Sequence, residues 1–293
     1  METTKKEIGI VADETADLPE ETIKENKIGI VKFKLDFQEL ADIPGNVYQK
    51  VREGEKRGIK NLIKTSQPSI NDFFVVFKEK LKEAENILCV TLSSKVSGAY
   101  NSALQAKKFL GSEFENKVHI FDSMNGSGSE GLVVLKAIAL IKQKLKLDEV
   151  AEKLRKELPN IKLIGMYKSP KWLEASGRIP KFVPVLMGQA EKINVRPVLG
   201  LRDGKLTFVG IKRNLKDISS ALFEEFEKAT KNAREAGKKV VVAITHADSI
   251  EEANKLKEMI LTLKNTEIAF VNLVCFPVGG HIGPDTIVLS WNQ

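Results

Sequence analysis

Cysteine and histidine are scarce in this chain of 293 residues, with two of the first and three of the second. Cys89 and Cys275 sit in the apolar runs ILCVTL and LVCFPV. That placement reads as buried, reduced thiols acting as small hydrophobes. His119, His246 and His281 show no close spacing to one another or to a cysteine, so a zinc site is not expected. No stretch approaches roughly 18 consecutive apolar residues, and no membrane-spanning helix is expected. The opening METTKKEIGIVAD lacks an apolar signal-peptide core and an A-x-A-like cleavage site. These absences point to a cytoplasmic protein. Nucleotide signatures are missing too: there is no G-x-G-x-x-G, and the glycine-rich IFDSMNGSGSEG lacks the Lys-Ser/Thr ending of a phosphate loop. A G-x-S-x-G nucleophile elbow is also absent.

Charge is plentiful and mixed. The 46 basic and 39 acidic residues give a formal net charge of +7, which attracts acidic partners. The lysines nevertheless alternate with glutamates, as in FKEKLKEAEN and AEKLRKELPN, the pattern of solvated helix faces. No basic cluster carries interleaved aromatics, so nucleic acid is not an expected partner. The lysine-rich surface is compatible with an acidic partner or with transient membrane contact. Apolar residues make up 42% of the chain, enough to bury one large or two medium cores.

Periodicity gives the organisation. IGIVAD reads as a strand, TADLPEETIKEN as a helix start with Pro19, and IGIVKFKLDF as a return strand. Phe73, Phe74, Phe77 and Leu81 carry helical spacing. NILCVTL reads as a buried strand, SGAYNSALQAKKFL as a helix, KVHIFDS as a strand, and GLVVLKAIALIKQKL as a long apolar helix. Repeated strand, polar loop and helix argue for a mostly parallel, Rossmann-like α/β sheet. Its ligand-gathering end would hold Asp13, Thr65-Ser66, Ser93-Ser94 and Asp122-Ser123. After KLIGMYKS the style changes. The short helix PKWLEASGRI, a hairpin around Asp203-Gly204, and alternating helices and strands predict a C-terminal two-layer α/β domain. The expected division is 1–165 and 166–293.

The polar loops carry the chemistry. In TLSSKVSGAYNSA, serines precede a helix whose first amides need acceptors. Ser97 either caps that helix or helps to hold a bound anion there. In KTSQPSINDFF, Ser69 with Asp72 three residues on resembles a capping box, which leaves Thr65 and Ser66 less easily explained as structural. Arg178 in SGRI is either an anion partner or one end of a surface ion pair. His281, in the glycine loop GGHIGP, is open to several roles.

Six segments in order, IVADETADLP, KTSQPS, LSSKVSGAYNSA, IFDSMNGSGSEG, WLEASGRI and GGHIGP, together resemble the DegV family of bacterial fatty-acid-binding proteins over nearly the whole chain. The resemblance implies two α/β domains with a fatty acid enclosed between and within them. It implies no enzymatic step, no metal and no cofactor beyond the bound lipid. It makes Thr65 and Ser97 the foremost contacts for the carboxylate, with Ser66, Ser93 and Ser94 lining the same place and Arg178 and His281 completing the polar network. Some members present the acid to a separate fatty-acid kinase. The energetics agree: a buried carboxylate without donors costs several kcal/mol, and about ten buried methylenes return roughly 8 kcal/mol. FVPVLMG would supply tunnel wall or ordinary core.

Departures from the family pattern are Glu14 for serine, Ser176 for glycine, Ala99 for threonine and Asp285 for the last glycine of Gly-Pro-Gly. Glu14 would repel a fatty-acid head group unless turned away. Asp285 either points inward, to pair with His281 or Arg178, or outward, to shape the turn. Two other functions stay open on the residues alone: a small-molecule hydrolase or transferase using His281 and a nearby serine, and a binder of another anionic metabolite such as a phosphate ester.

Overall fold

The computed structural model describes residues 6–36, 38–59, 64–167, 195–213 and 217–293. The segments WLEASGRI, with Arg178, and FVPVLMG lie outside the described residues. The chain opens with β1 (Lys6–Asp13), a 3-10 turn (Glu14–Ala16), α1 (Glu20–Asn26) and β2 (Gly29–Val31). An excursion of β3 (Lys34–Asp36), α2 (Val47–Lys56) and β4 (Lys64–Ser66) follows. Next come α3 (Ile70–Glu83), β5 (Ala84–Thr91), α4 (Ala99–Phe109), α5 (Ser112–Glu115), β6 (Val118–Asp122), α6 (Gly128–Ile141) and α7 (Leu147–Glu157). The second half runs β7 (Ile161–Met166), β8 (Val195–Arg202), β9 (Lys205–Arg213), α8 (Ile218–Glu235), β10 (Val240–His246), α9 (Ile250–Leu261), β11 (Thr266–Leu273), α10 (Phe276–Ile282) and β12 (Ile287–Asn292).

The first sheet has the order β2-β1-β5-β6 and is parallel throughout. Residues 8–13 of β1 and 87–91 of β5 form near-continuous apolar runs that are buried almost throughout, as parallel strands covered on both faces must be. Phe73 and Phe77 of α3 pack with Ala99, Ala103 and Ala106 of α4 on one face. Leu132, Val133 and Ala137 of α6, with Val150 and Leu154 of α7, cover the other.

The second sheet has the order β11-β10-β12-β7-β8-β9 and is mixed, with β10 and β11 parallel and its other pairs antiparallel. Its strands alternate. Ile287, Leu289 and Trp291 of β12 face α8 and α9, where the Trp291 ring meets Phe226 edge to face at 5.6 Å. Val288 and Ser290 face the opposite way. There α6 crosses both sheets. Ten of its 14 residues are buried, as expected of a helix that is apolar all round. At the crossing Gly128 lies so close that a Cβ would sit 3.2 Å from both the Ala243 Cβ and the Ser290 hydroxyl. Small residues on both partners bring helix and sheet together.

Three local outcomes differ from the expectation or refine it. IGIVKFKLDF is two strands in different sheets, because the chain leaves the parallel sheet after Val31 and Leu35 pairs with Thr65 instead. The glycine loop GGHIGP is largely helical. Pro277 stands in the first turn of α10, where its missing N–H does no harm. Residues 167–194 stand in the chain between β7 and the hairpin strands, yet β7 already belongs to the second sheet. We therefore propose drawing the division between the units ahead of Ile161 rather than at 165/166.

The capping box ahead of α3 is present in full: Asp72 N–H donates to the Ser69 hydroxyl oxygen at 3.2 Å, and Ser69 N–H donates to the Asp72 carboxylate at 2.7 Å. Ser69→Ala is expected to lower the unfolding free energy by about 1 kcal/mol, read as a shifted urea midpoint with unchanged slope.

Candidate functional site

Three loops meet where the parallel strands of the first sheet end. The turn after β1 contributes Thr15, the loop after β5 contributes Leu92 and Val96, and the loop after β6 contributes Gly126 and Ser127. Opposite them stand Leu163, Leu201, Leu206 and Val288 from the inner face of the second sheet, with Tyr167 just beyond β7. The space enclosed holds about 810 Å³ free of atoms, part of it open to solvent. The walls are overwhelmingly apolar, with Pro277, Val278 and Ile282 of α10 closing a further side.

Polar groups gather at one place on this wall. Thr65 of β4 and His281 of α10, 216 positions apart, meet with Oγ1 and Nε2 2.7 Å from each other. The tautomer decides which of the two donates. Both are half-buried and both face the cavity. With the proton on Nε2, the imidazole N–H donates to Thr65, and the Thr65 hydroxyl proton is left to donate to a carboxylate in the cavity.

The other expected residues are placed as follows. Ser66 is exposed on β4. Ser93 is fully buried, with its hydroxyl donating to the Gly204 carbonyl at 2.8 Å and accepting the Lys95 N–H. Ser94 N–H donates to the Asp122 carboxylate. The Ser97 oxygen accepts the Ala99 N–H at 3.2 Å, with Gly98 at the helix N-cap. That contact uses a lone pair and leaves the Ser97 O–H able to donate. Among these serines none is a described lining residue of the cavity. Arg178 is outside the described residues. The Glu14 carboxylate accepts the Phe33 N–H, and Glu14 is not among the described lining residues of the cavity. Asp285 reaches Arg52 of α2.

Behind the wall lies a buried acidic layer that the sequence does not announce. Asp13 Oδ2 accepts the Leu92 N–H at 2.8 Å, and Oδ1 accepts both the N–H and the hydroxyl of Thr15. The same Thr15 oxygen is 2.9 Å from Glu130 Oε2. One hydroxyl proton cannot serve two carboxylates, so the Asp13–Thr15–Glu130 chain calls for a proton on one of the two carboxyl groups. Burial, with Asp13 beside it, holds Glu130 well above the usual carboxylate range. Burial also pushes Asp13 up to about 6, against the pull of its Thr15 and Leu92 donors.

Asp17 is the second member of this layer. It accepts the Ser127 hydroxyl at 2.6 Å and the Cys275 N–H at 2.7 Å, while its carbonyl accepts from Asn272. The Ser127 oxygen is in turn 2.7 Å from the Thr245 hydroxyl. Asp17 therefore ties the first sheet to the start of α6 and to the base of α10. Burial pushes it up to about 7. His246 accepts the Ser249 N–H, and His119 lies 3.3 Å from Arg155. Among the described residues no group of three or more His, Cys, Asp and Glu side chains is arranged to hold a metal, and no helix is long and apolar enough to cross a membrane.

Comparison with known proteins follows the same contours. Residues 7–293 match the profile described as "Uncharacterised protein, DegV family". A DegV domain-containing protein of Staphylococcus aureus is 29% identical, with 96% of each chain covered. A protein of Thermotoga maritima named fatty acid-binding protein is 28% identical, again over 96% of each. A solved DegV family protein from Thermus thermophilus, described for its fatty acid binding, superposes with a TM-score of 0.84 at 26% identity, covering 98% of this chain and 99% of that one.

Proposed function

From the premise that the chain belongs to the DegV family, we propose that it binds a long-chain fatty acid and acts as a carrier rather than a catalyst. The observation that carries this reading is the pairing of Thr65 and His281 at the polar end of an otherwise apolar cavity. With the Nε2–H of His281 donating to Thr65 Oγ1, the Thr65 hydroxyl keeps its own proton for the carboxylate, and His281 orients that hydroxyl. The acyl chain runs past Val278, Ile282, Leu163 and Leu201. Ser97, with its hydroxyl proton still able to donate, and Arg178 remain proposed head-group partners. Ser66, Ser93 and Ser94 shape the surrounding loops. The fatty-acid-binding relatives favour this over the hydrolase reading.

A carboxylate held at the cavity's polar end rather than in its depths is placed to be handed on. The proposed downstream partner is a kinase that phosphorylates the bound acid. No step of that reaction needs a residue of this chain beyond those that orient the carboxylate.

Native mass spectrometry of freshly purified protein is expected to show a co-purifying mass of a C14–C18 fatty acid, roughly the length that ten or more buried methylenes stabilise. After delipidation, palmitate titration should saturate at one equivalent. Thr65→Ala is expected to weaken palmitate about tenfold, the loss of one hydrogen bond to a charged group, with an unchanged thermal midpoint. A delipidated protein that binds no long-chain acid ends the proposal, and unchanged affinity in Thr65→Ala ends the head-group assignment.

A further inference from the structure

The excursion that carries Thr65 is anchored to the second unit at two points, one turn apart on α2. Tyr48 donates its hydroxyl to the Val274 carbonyl at 2.9 Å and packs on Phe276, ring centroids 5.4 Å apart. Arg52 lies four residues on, hence on the same face. Its Nη2 is 2.7 Å from Asp285 Oδ1, its Nη1 binds the Asp248 carboxylate, and Nη2 also donates to the Asp248 carbonyl at 3.2 Å. One planar guanidinium thus spans two loops, a geometry that lysine cannot reproduce.

The two aspartates share an unusual backbone. Asp248 has φ +57° and Asp285 has φ +61°, both in the left-handed region. Side-chain-bearing residues are uncommon there, and holding one there costs free energy. Their loops are stitched to each other: Asp285 N–H donates to the Ala247 carbonyl and Ala247 N–H to the Thr286 carbonyl. Asp285 also stands four positions after His281, beyond the end of α10, and the Thr286 hydroxyl donates back to the Ile282 carbonyl.

We infer that Arg52, bridging Asp248 and Asp285, is a positioning residue that sets Thr65 against His281. The inference rests on the fatty-acid reading for its consequence in binding. Arg52 holds α2 against the loop that continues α10. Thr65 belongs to the same excursion as α2, and His281 to α10. The bridge therefore fixes the relative placement of Thr65 and His281. Donors held ready lose less on binding than donors that must be ordered.

The test compares wild type with Asp285→Gly, Arg52→Met and Arg52→Lys. Three quantities are read: palmitate affinity, thermal midpoint, and the imidazole ¹⁵N resonances of His281 in delipidated protein. Asp285→Gly separates positioning from stability, because glycine takes a φ of +61° without strain. Its midpoint is expected to equal or exceed that of wild type, while palmitate affinity falls three- to tenfold and the His281 resonances move. Arg52→Met should lose at least as much affinity, and Arg52→Lys should recover part of it. Should Arg52→Met fail to fold, Asp285→Gly decides alone. Wild-type affinity together with unmoved His281 resonances in Asp285→Gly overturns the inference. If wild type binds no palmitate, the fatty-acid reading falls and the ¹⁵N resonances alone decide the positioning role, moved supporting it and unmoved overturning it.

Discussion

Gly279→Ala is expected to abolish fatty-acid binding, by more than about a hundredfold, and to lower the thermal midpoint by roughly 5–15 °C. Gly279 lies in α10, two residues before His281. A Cβ there would stand 2.1 Å from the Tyr48 hydroxyl oxygen and 2.7 Å from its ring. Neither partner has room to yield. Tyr48 is only 2% exposed, and its hydroxyl is bound to Val274. Overpacking of this kind costs roughly 1–3 kcal/mol. A buried hydroxyl and carbonyl parted from each other add about 1–3 kcal/mol. The larger consequence is for the site. With Tyr48 unseated, α2 leaves the second unit, and Thr65 leaves His281. The double variant Gly279→Ala/Tyr48→Phe removes the nearest clashing atom and should recover part of both losses. Wild-type palmitate affinity in Gly279→Ala would show that the excursion does not set the site.

The second large effect concerns pH. Asp13 and Asp17 have folded values pushed up to about 6 and about 7 by burial, against about 3.9 in the unfolded chain. Between those values the folded state holds more protons than the unfolded one, so stability falls as pH rises from about 4 to 7. Asp217 acts in the opposite sense. Despite its desolvation, the Lys255 ammonium and Ser220 donors hold it down to about 2, so its contribution is lost as pH falls below about 4. Stability is therefore expected to peak at about pH 4. For Asp17 alone the shift corresponds to a cost on the order of 4 kcal/mol once it is ionised.

Asp17→Asn removes that cost without removing the clamp. The amide oxygen can still accept the Cys275 N–H, and the amide N–H can donate to Ser127, whose proton then goes to Thr245. At pH 8 the variant should be more stable by about 2–4 kcal/mol in urea unfolding, and at pH 5 by far less. An equal gain at both pH values, or a loss at pH 8, would refute the assignment of Asp17 as a buried ionised clamp.

What could be read from the sequence follows the range of the interactions. NILCVTL announces a buried strand through its apolar run, and LVVLKAIALI announces a helix covered on all sides. Ser69 and Asp72 declare a capping box because both partners lie within four residues. Thr65 and His281 were legible only through resemblance, since no local pattern links positions 216 residues apart. The serines were harder. Ser93 looks like a ligand donor in SSKVSG, but its partner is the Gly204 carbonyl in a distant hairpin. Glu130 in the first turn of α6 has the sequence appearance of an exposed charge complementing the helix dipole. Burial against Asp13 reverses that reading. Arg52 gave no signal, because in VYQKVREGEK it resembles any charged residue on an amphipathic helix.

The central place of β12 has a consequence for how the protein is made. β10 and β11 form one pair and β7, β8 and β9 another group; only β12 joins them. Ile161 finds its partner in Asn292. On the ribosome the first sheet has all its strands once β6 has emerged. The second stays in two pieces, with the facing edges of β7 and β10 unpaired, until β12 is synthesised. Closing so long a loop is slow, and uncovered strands invite wrong partners meanwhile. A nascent chain stalled before Ile287 should thus protect residues 6–122 from protease while leaving 161–286 open to it.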